Sequence, residues 1–117
     1  MEALKQRIRN TVQGRDDLLN EEPVTDHPLA GHCYVASEAL FHLTGGYEKW
    51  YVERTSVLVD GEWITHWYLR DRNELHVVDL TAEQFGVRKI PYGAGTRTGF
   101  LTQNPSKRAQ EVIDTVK

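Results

Sequence analysis

The segment WITHWYLRDRNELHVVDL (residues 63–80) decides the fold predicted for this chain. Its two ends are rich in aromatic and β-branched residues, whereas residues 71–74 are polar. Two such runs joined by a short polar stretch are typical of an antiparallel hairpin. A loop at 71–74 places His66 directly opposite Asp79, with the two side chains on one face and their Cβ atoms about 5 Å apart.

The flanking sequence extends this hairpin into a sheet and adds helices. Tyr47 to Val59 predicts a preceding strand, and Asp60-Gly61 is a strong two-residue hairpin turn. Apolar residues recurring every three or four positions, with their capping signals, predict helices over 2–13, over 33–44 and after Asn104-Pro105. The predicted class is α+β, in which a Cys-bearing helix packs on an antiparallel sheet of three or more strands between N- and C-terminal helices.

Two stretches lack this periodicity and are predicted as loops. Residues 15–32 hold acidic and turn residues with two prolines, and they indicate a loop that covers the start of the second helix. Thr81 to Gln84 forms a capping box, which predicts a short helical turn. Residues 86–103 hold four of the nine glycines and are predicted to be mostly loop.

Composition predicts one domain over residues 1–117 and restricts the classes of partner. The net charge is −3 and the pI is near 5.9, which gives no basic surface for nucleic acid or for an anionic membrane. No apolar run approaches the roughly 20 residues that span a bilayer. The charged N-terminus is unlike a signal peptide, and a single cysteine excludes an internal disulfide. We therefore expect a cytoplasmic protein without nucleic-acid or membrane partners.

Cys33 is the only cysteine and falls at the first turn of the predicted second helix. Backbone N–H groups at a helix start are unpaired and carry the positive end of the helix dipole. Such an environment lowers the pKa of a thiol, so Cys33 is the candidate nucleophile.

His66 and Asp79 would complete a nucleophile–base–orienter set, because the predicted register lets Asp79 hold the His66 imidazole. Tyr68 shares the predicted face of His66 and is expected to line the cleft. Arg97 lies in the glycine-rich stretch 93–99, which is predicted to form a mobile lid with Arg97 gripping an anionic part of the substrate.

Short motifs in this order resemble the YunG-like family of small bacterial and phage proteins. The matching pieces, over roughly residues 27–108, are Gly31-His32-Cys33, His66-Trp67-Tyr68, Val78-Asp79-Leu80-Thr81-Ala82-Glu83-Gln84-Phe85, and Pro91-Tyr92 ahead of Arg97. The resemblance implies a minimal papain-like fold with a Cys33–His66–Asp79 triad. Its chain order is shared with transglutaminases and bacterial cell-wall cysteine peptidases.

One position departs from the family. Where YunG-like sequences often have Gln before the Cys, this chain has His32. We therefore expect the His32 side chain and the Cys33 backbone N–H to stabilise the oxyanion.

These residues favour a cysteine-dependent hydrolase, of the peptidase or amidase kind, that uses no cofactor. Its expected substrate is a small amide or peptide, or a protein side chain, and acyl transfer remains open. The alternative is a non-catalytic binding module on the same scaffold. His32, Cys33, His66 and Asp79 are also plausible zinc ligands, but structural zinc usually uses close ligand pairs, so no metal is expected.

Overall fold

The computed structural model describes residues 1–19, 21–23, 25–100 and 102–117. In order, the helices and strands are α1 (Glu2–Val12), α2 (Cys33–Leu43), β1 (Trp50–Val59), β2 (Glu62–Asp71), β3 (Val77–Val78), β4 (Thr96–Thr98) and α3 (Lys107–Val116). The sheet is antiparallel, with strand order β3-β2-β1-β4. The α+β class is confirmed. Asn20 and Val24 of the predicted covering loop, and Leu101 of the predicted loop 86–103, lie outside the described residues.

The β1–β2 hairpin forms as predicted. Val59 pairs with Glu62 across a two-residue turn. Asp60 and Gly61 have φ angles of 50° and 86°, as a type I′ turn requires of both central residues. The first strand begins at Trp50 rather than Tyr47, because Gly46–Glu48 forms a 3₁₀ turn.

The helices cover one face of the sheet and form the main core. Alternation in β1 and β2 directs Trp50, Val52 and Leu69 to this face. The helices bury against it the apolar stripes predicted from their periodicity; the buried residues are Ile8, Val12, Val35, Ala36, Ala39, Leu40, Val112, Ile113 and Val116. This packing holds the first turn of α2, and with it Cys33, beside β2.

The third helix starts later than predicted. Its N-cap is Ser106, whose hydroxyl oxygen accepts a hydrogen bond from the Ala109 N–H, so the expected cap at Asn104-Pro105 is wrong. The reason is a buried carboxylate on α2. Glu38 accepts hydrogen bonds from both the backbone N–H and the hydroxyl of Ser106, at 2.7 and 2.8 Å. Glu38 thereby fixes where α3 begins.

The hairpin between β2 and β3 turns one residue later than predicted. Leu69 pairs with Val78, two residues away from the expected register, so the direct pairing of His66 with Asp79 is wrong. The Asp71 N–H donates to the His76 carbonyl, so this register continues to that pair and the loop lies at 72–75 instead of 71–74. A shift of two residues preserves the alternation of side chains, so His66 and Asp79 still share a face.

The second face of the sheet is covered by the segment that follows β3. Val57, Val59 and Phe85 form a small apolar cluster there. The predicted turn after Thr81 is present as the 3₁₀ turn Ala82–Phe85, and the Gln84 side-chain amide donates to the Thr81 hydroxyl. The stretch 86–103 contains more structure than predicted, since residues 96–98 add strand β4 to the edge of β1.

Gly95→Ala should destabilise the fold, because a Cβ at Gly95 would overlap the buried Tyr68 hydroxyl. Gly93→Ala is the matched control, since a Cβ there meets no atom within 4 Å. Urea unfolding should show a loss of about 1–3 kcal/mol for Gly95→Ala, as for other overpacked sites. The Gly93→Ala variant should stay within about 0.5 kcal/mol of the parent. Equal effects would contradict the close packing at Gly95.

Candidate active site

His66 and Asp79 form a buried hydrogen bond on the second face of the sheet. His66 Nε2 lies 2.6 Å from Asp79 Oδ2, and the two side chains are 0 % and 5 % exposed. The contact expected from the sequence is therefore present, although by a different register. Asp79 is itself fixed, because it also accepts hydrogen bonds from the Tyr92 hydroxyl at 2.6 Å and from the Thr81 N–H at 3.2 Å.

This arrangement sets the tautomer of His66. An ionised carboxylate only accepts hydrogen bonds, so His66 Nε2 must carry the proton. His66 Nδ1 is buried and finds no hydrogen-bond partner among the described residues. The ring is held edge-on to Phe85, with centroids 4.8 Å apart, and nearly parallel to Tyr68 at 6.2 Å. In the neutral ring, Nδ1 is thus an oriented lone pair, which is what a general base requires.

Cys33 is the first residue of α2 and is 1 % exposed. Its thiol donates to Glu21 Oε1, with Sγ and Oε1 3.6 Å apart. The expected hydrogen bond between Cys33 and His66 is not formed, since His66 Nδ1 has no such partner within the described part of the chain. The thiol proton is directed to the Glu21 carboxyl instead.

The predicted lowering of the Cys33 pKa is wrong. Burial raises the pKa of the Cys33 thiol, and the negative charges of Glu21 and Asp79 raise it further. A backbone hydrogen bond from Trp67 acts in the opposite direction but does not outweigh them. Desolvation and two carboxylates therefore exceed the benefit of the helix start, and the resting thiol is neutral near pH 7.

Glu21 was not found from the sequence. It lies in the covering loop, where no periodicity or motif marks it, and it is half-buried. Burial raises the pKa of Glu21, whereas the Cys33 hydrogen bond and the charge of His66 oppose that rise. Glu21 therefore contacts the candidate nucleophile and lies within electrostatic range of His66.

Tyr92 is the second residue that the sequence did not assign. It belongs to the Pro91-Tyr92 motif, which was the only available signal, and its role appears in the contact with Asp79. Burial, followed by the hydrogen bond to Asp79, raises the pKa of Tyr92, so its hydroxyl stays protonated and donates to the carboxylate.

His32 lies in a different environment from the one expected. It is buried at the N-cap of α2, and its Nε2 donates to the Arg15 carbonyl at 2.9 Å. A neutral imidazole has one N–H donor, so in this state His32 has none left for an oxyanion. No group of three His, Cys, Asp or Glu residues within the described ranges is arranged to hold a metal ion.

Tyr68 does not line an open cleft. Its side chain is fully buried, and its hydroxyl donates to the Tyr92 carbonyl at 3.2 Å. Burial, with a further contribution from Glu53, raises the pKa of Tyr68 to about 12. Tyr68 packs against the His66 ring, with ring centroids 6.2 Å apart, and the segment after β3 covers both side chains.

Arg97 does not belong to a mobile lid. It lies in β4, opposite Glu53 of β1, and its Nε donates to Glu53 Oε2 at 3.4 Å. Its guanidinium also lies 3.6 Å from the centre of the Tyr51 ring. The lid prediction is wrong because Thr96–Thr98 pairs with β1 and places Arg97 on the sheet.

A pocket of about 410 Å³ opens beside the thiol. Tyr34 and Trp67 contribute aromatic walls, and Glu21 and Arg108 are the charged residues that line it. Cys33 does not line this pocket, but Glu21 does. Glu21 is therefore the residue that both lines the pocket and contacts the Cys33 sulfur.

Comparisons with known proteins found no relative of this chain. No family model matches the chain, and neither the curated proteins nor the solved structures include a match. Within the described ranges, none of the helices has the length and apolar character needed to cross a membrane.

Alkylation of Cys33 by iodoacetamide should report the raised thiol pKa. Because the thiol of the folded chain ionises at higher pH than a free thiol, the alkylation rate should still be rising at pH 9, above the ordinary thiol pKa of about 8.5. Glu21→Gln removes a negative charge, so it should move the curve to lower pH. Exposed Glu22→Gln is the matched control and should leave it in place. A plateau below pH 8.5 in the parent chain would refute the neutral thiol.

Proposed function

We propose that this chain is a cysteine-dependent hydrolase, of the peptidase or amidase kind, with Cys33 as nucleophile, His66 as base and Asp79 as orienter. The observation that carries the proposal is the buried Nδ1 of His66, which has no hydrogen-bond partner among the described residues, on a ring whose other nitrogen is fixed by Asp79. A buried polar atom without a hydrogen-bond partner lowers the stability of the fold, and a catalytic role is one explanation for such an atom. The electrostatic effects of Glu21 and Asp79 on Cys33, and of His66 on Glu21, support placing all four groups at one site.

The reaction begins when Glu21 releases the thiol. The Cys33 proton passes to His66 Nδ1, and the sulfur forms a bond with the carbonyl carbon of the substrate. The C–N bond then breaks, and the leaving amine takes the proton from His66. Water, deprotonated by His66, attacks the thioester, which yields a carboxylic acid and restores the thiol.

Asp79 and Tyr92 serve this proton transfer without reacting. Each proton accepted at Nδ1 makes the His66 ring cationic, and the Asp79 carboxylate stabilises that charge. Tyr92 and Thr81 keep the carboxylate in place. The Cys33 backbone N–H, at the start of α2, is our proposed oxyanion donor, a contribution of about 3 kcal/mol for one such group.

The proposed substrate is a small amide or peptide-like molecule or a protein side chain, handled in the cytoplasm without a cofactor. The resemblance to the YunG-like family supports the papain-like fold and the Cys33–His66–Asp79 triad more than any particular substrate. The acidic net charge of −3 does not favour a nucleic-acid substrate.

A non-catalytic binding module is the second candidate. The specific observation in its favour is the burial of Cys33, because a neutral thiol covered by a carboxyl is typical of an unreactive cysteine. On this alternative, the His66–Asp79 pair would only hold the segment after β3 against the sheet.

Alkylation of Cys33 at pH 7.5 distinguishes the two. If His66 deprotonates the thiol, His66→Gln and Asp79→Asn should each slow the reaction by at least about tenfold. The control is His76→Gln, since the His76 side chain is 76 % exposed and lies beside the exposed Glu74 carboxylate. Melting temperatures identify folded variants, and Asp79→Asn alone suffices if His66→Gln does not fold. Unchanged rates in folded variants would favour the binding module.

A further inference from the structure

We propose that Glu21 binds the α-ammonium group of the substrate, so that the enzyme acts on compounds with a free amino group next to the scissile carbonyl. This inference rests on the proposed function and names its substrate class. It starts from the position of Glu21, which lines the pocket and also contacts the Cys33 sulfur.

The distances favour an α-amine over a more remote cation. A carbonyl carbon poised for attack lies about 3–3.5 Å from the attacking sulfur. Glu21 Oε1 lies 3.6 Å from the same sulfur. The α-nitrogen of an aminoacyl group is two bonds of about 1.5 Å from the carbonyl carbon, so it falls within hydrogen-bonding reach of this carboxyl. A lysine-like ammonium, four methylenes farther along, does not.

The charges also favour replacement of the Cys33 thiol by an ammonium group as the partner of Glu21. The resting partner of Glu21 is a thiol, which is a weak donor, and burial disfavours the carboxylate charge. An ammonium would form a shorter, charge-assisted bond and compensate that charge. Once Glu21 holds the ammonium, Cys33 loses its resting partner, and its proton becomes available to His66. Binding of the correct substrate thereby activates the nucleophile.

The rest of the pocket selects the side chain and the orientation. Tyr34, Val35 and Trp67 form an apolar wall, and a volume of about 410 Å³ accommodates an aromatic side chain. Arg108 is the other charged residue on the wall. It repels an ammonium, so it favours the orientation in which the substrate amine faces Glu21.

Two covalent probes test the inference. Phenylalanyl chloromethyl ketone carries a free amine one carbon from its carbonyl, and N-acetyl-phenylalanyl chloromethyl ketone has the same side chain without the charge. Mass spectrometry should show Cys33 labelled at least tenfold faster by the free amine. Glu21→Gln should abolish the preference, and the control Glu22→Gln should retain it. Independently, phenylalaninamide should slow iodoacetamide labelling of the parent chain, because its carbonyl group occupies the position in front of the sulfur and excludes the reagent, whereas N-acetyl-phenylalaninamide should not.

The results that would contradict the inference distinguish a failure of the Glu21 role from a failure of the proposed hydrolase. Equal labelling by the two ketones, or equal protection by the two amides, overturns the role of Glu21 while leaving a reactive thiol. A preference that survives in Glu21→Gln assigns the ammonium to another group and also overturns the proposal. If the parent chain resists iodoacetamide as well as both ketones, the proposed hydrolase fails and the inference fails with it.

Discussion

The hydrogen bond between His66 and Asp79 is the interaction on which the rest of this structure depends. It joins β2 to the segment after β3, and Asp79 extends it to Thr81 and Tyr92. Those contacts bring the segment over the second face of the sheet, where it buries the His66 ring. The same bond fixes a proton on Nε2 and leaves a lone pair on Nδ1, which is buried and has no hydrogen-bond partner among the described residues. One contact thus serves both packing and chemistry.

The Cys33 thiol is neutral in this structure, and the proposed reaction takes this as its resting state. Cys33 is protonated because it is buried and faces negative charge, and Glu21 is the group that holds its proton. Glu21 lines the pocket and also contacts the Cys33 sulfur, so the proposed reaction requires this half-buried side chain to release the thiol. In that proposal, a substrate that gives Glu21 a better partner frees the thiol, so substrate binding also activates the nucleophile.

Periodicity and turn chemistry predicted the helices and the main hairpin, because those signals are local in sequence. The contact of His66 with Asp79 was predicted despite a register error of two residues, since alternation depends only on parity. Glu21 was missed because it reaches Cys33 from an aperiodic loop. The Cys33 pKa was predicted with the wrong sign because burial and neighbouring charge arise from tertiary structure. Arg97 was misassigned because a glycine-rich stretch contained a pairing strand.

The central claim is that His66 carries its proton on Nε2 and presents Nδ1 as a base. Nitrogen-15 NMR of the histidine rings tests this directly, because protonated and unprotonated ring nitrogens resonate far apart. At neutral pH the account predicts a protonated Nε2 and an unprotonated Nδ1 for His66. A proton on Nδ1 with an unprotonated Nε2 would contradict it, since Asp79 would then have to donate and His66 would offer Cys33 no base.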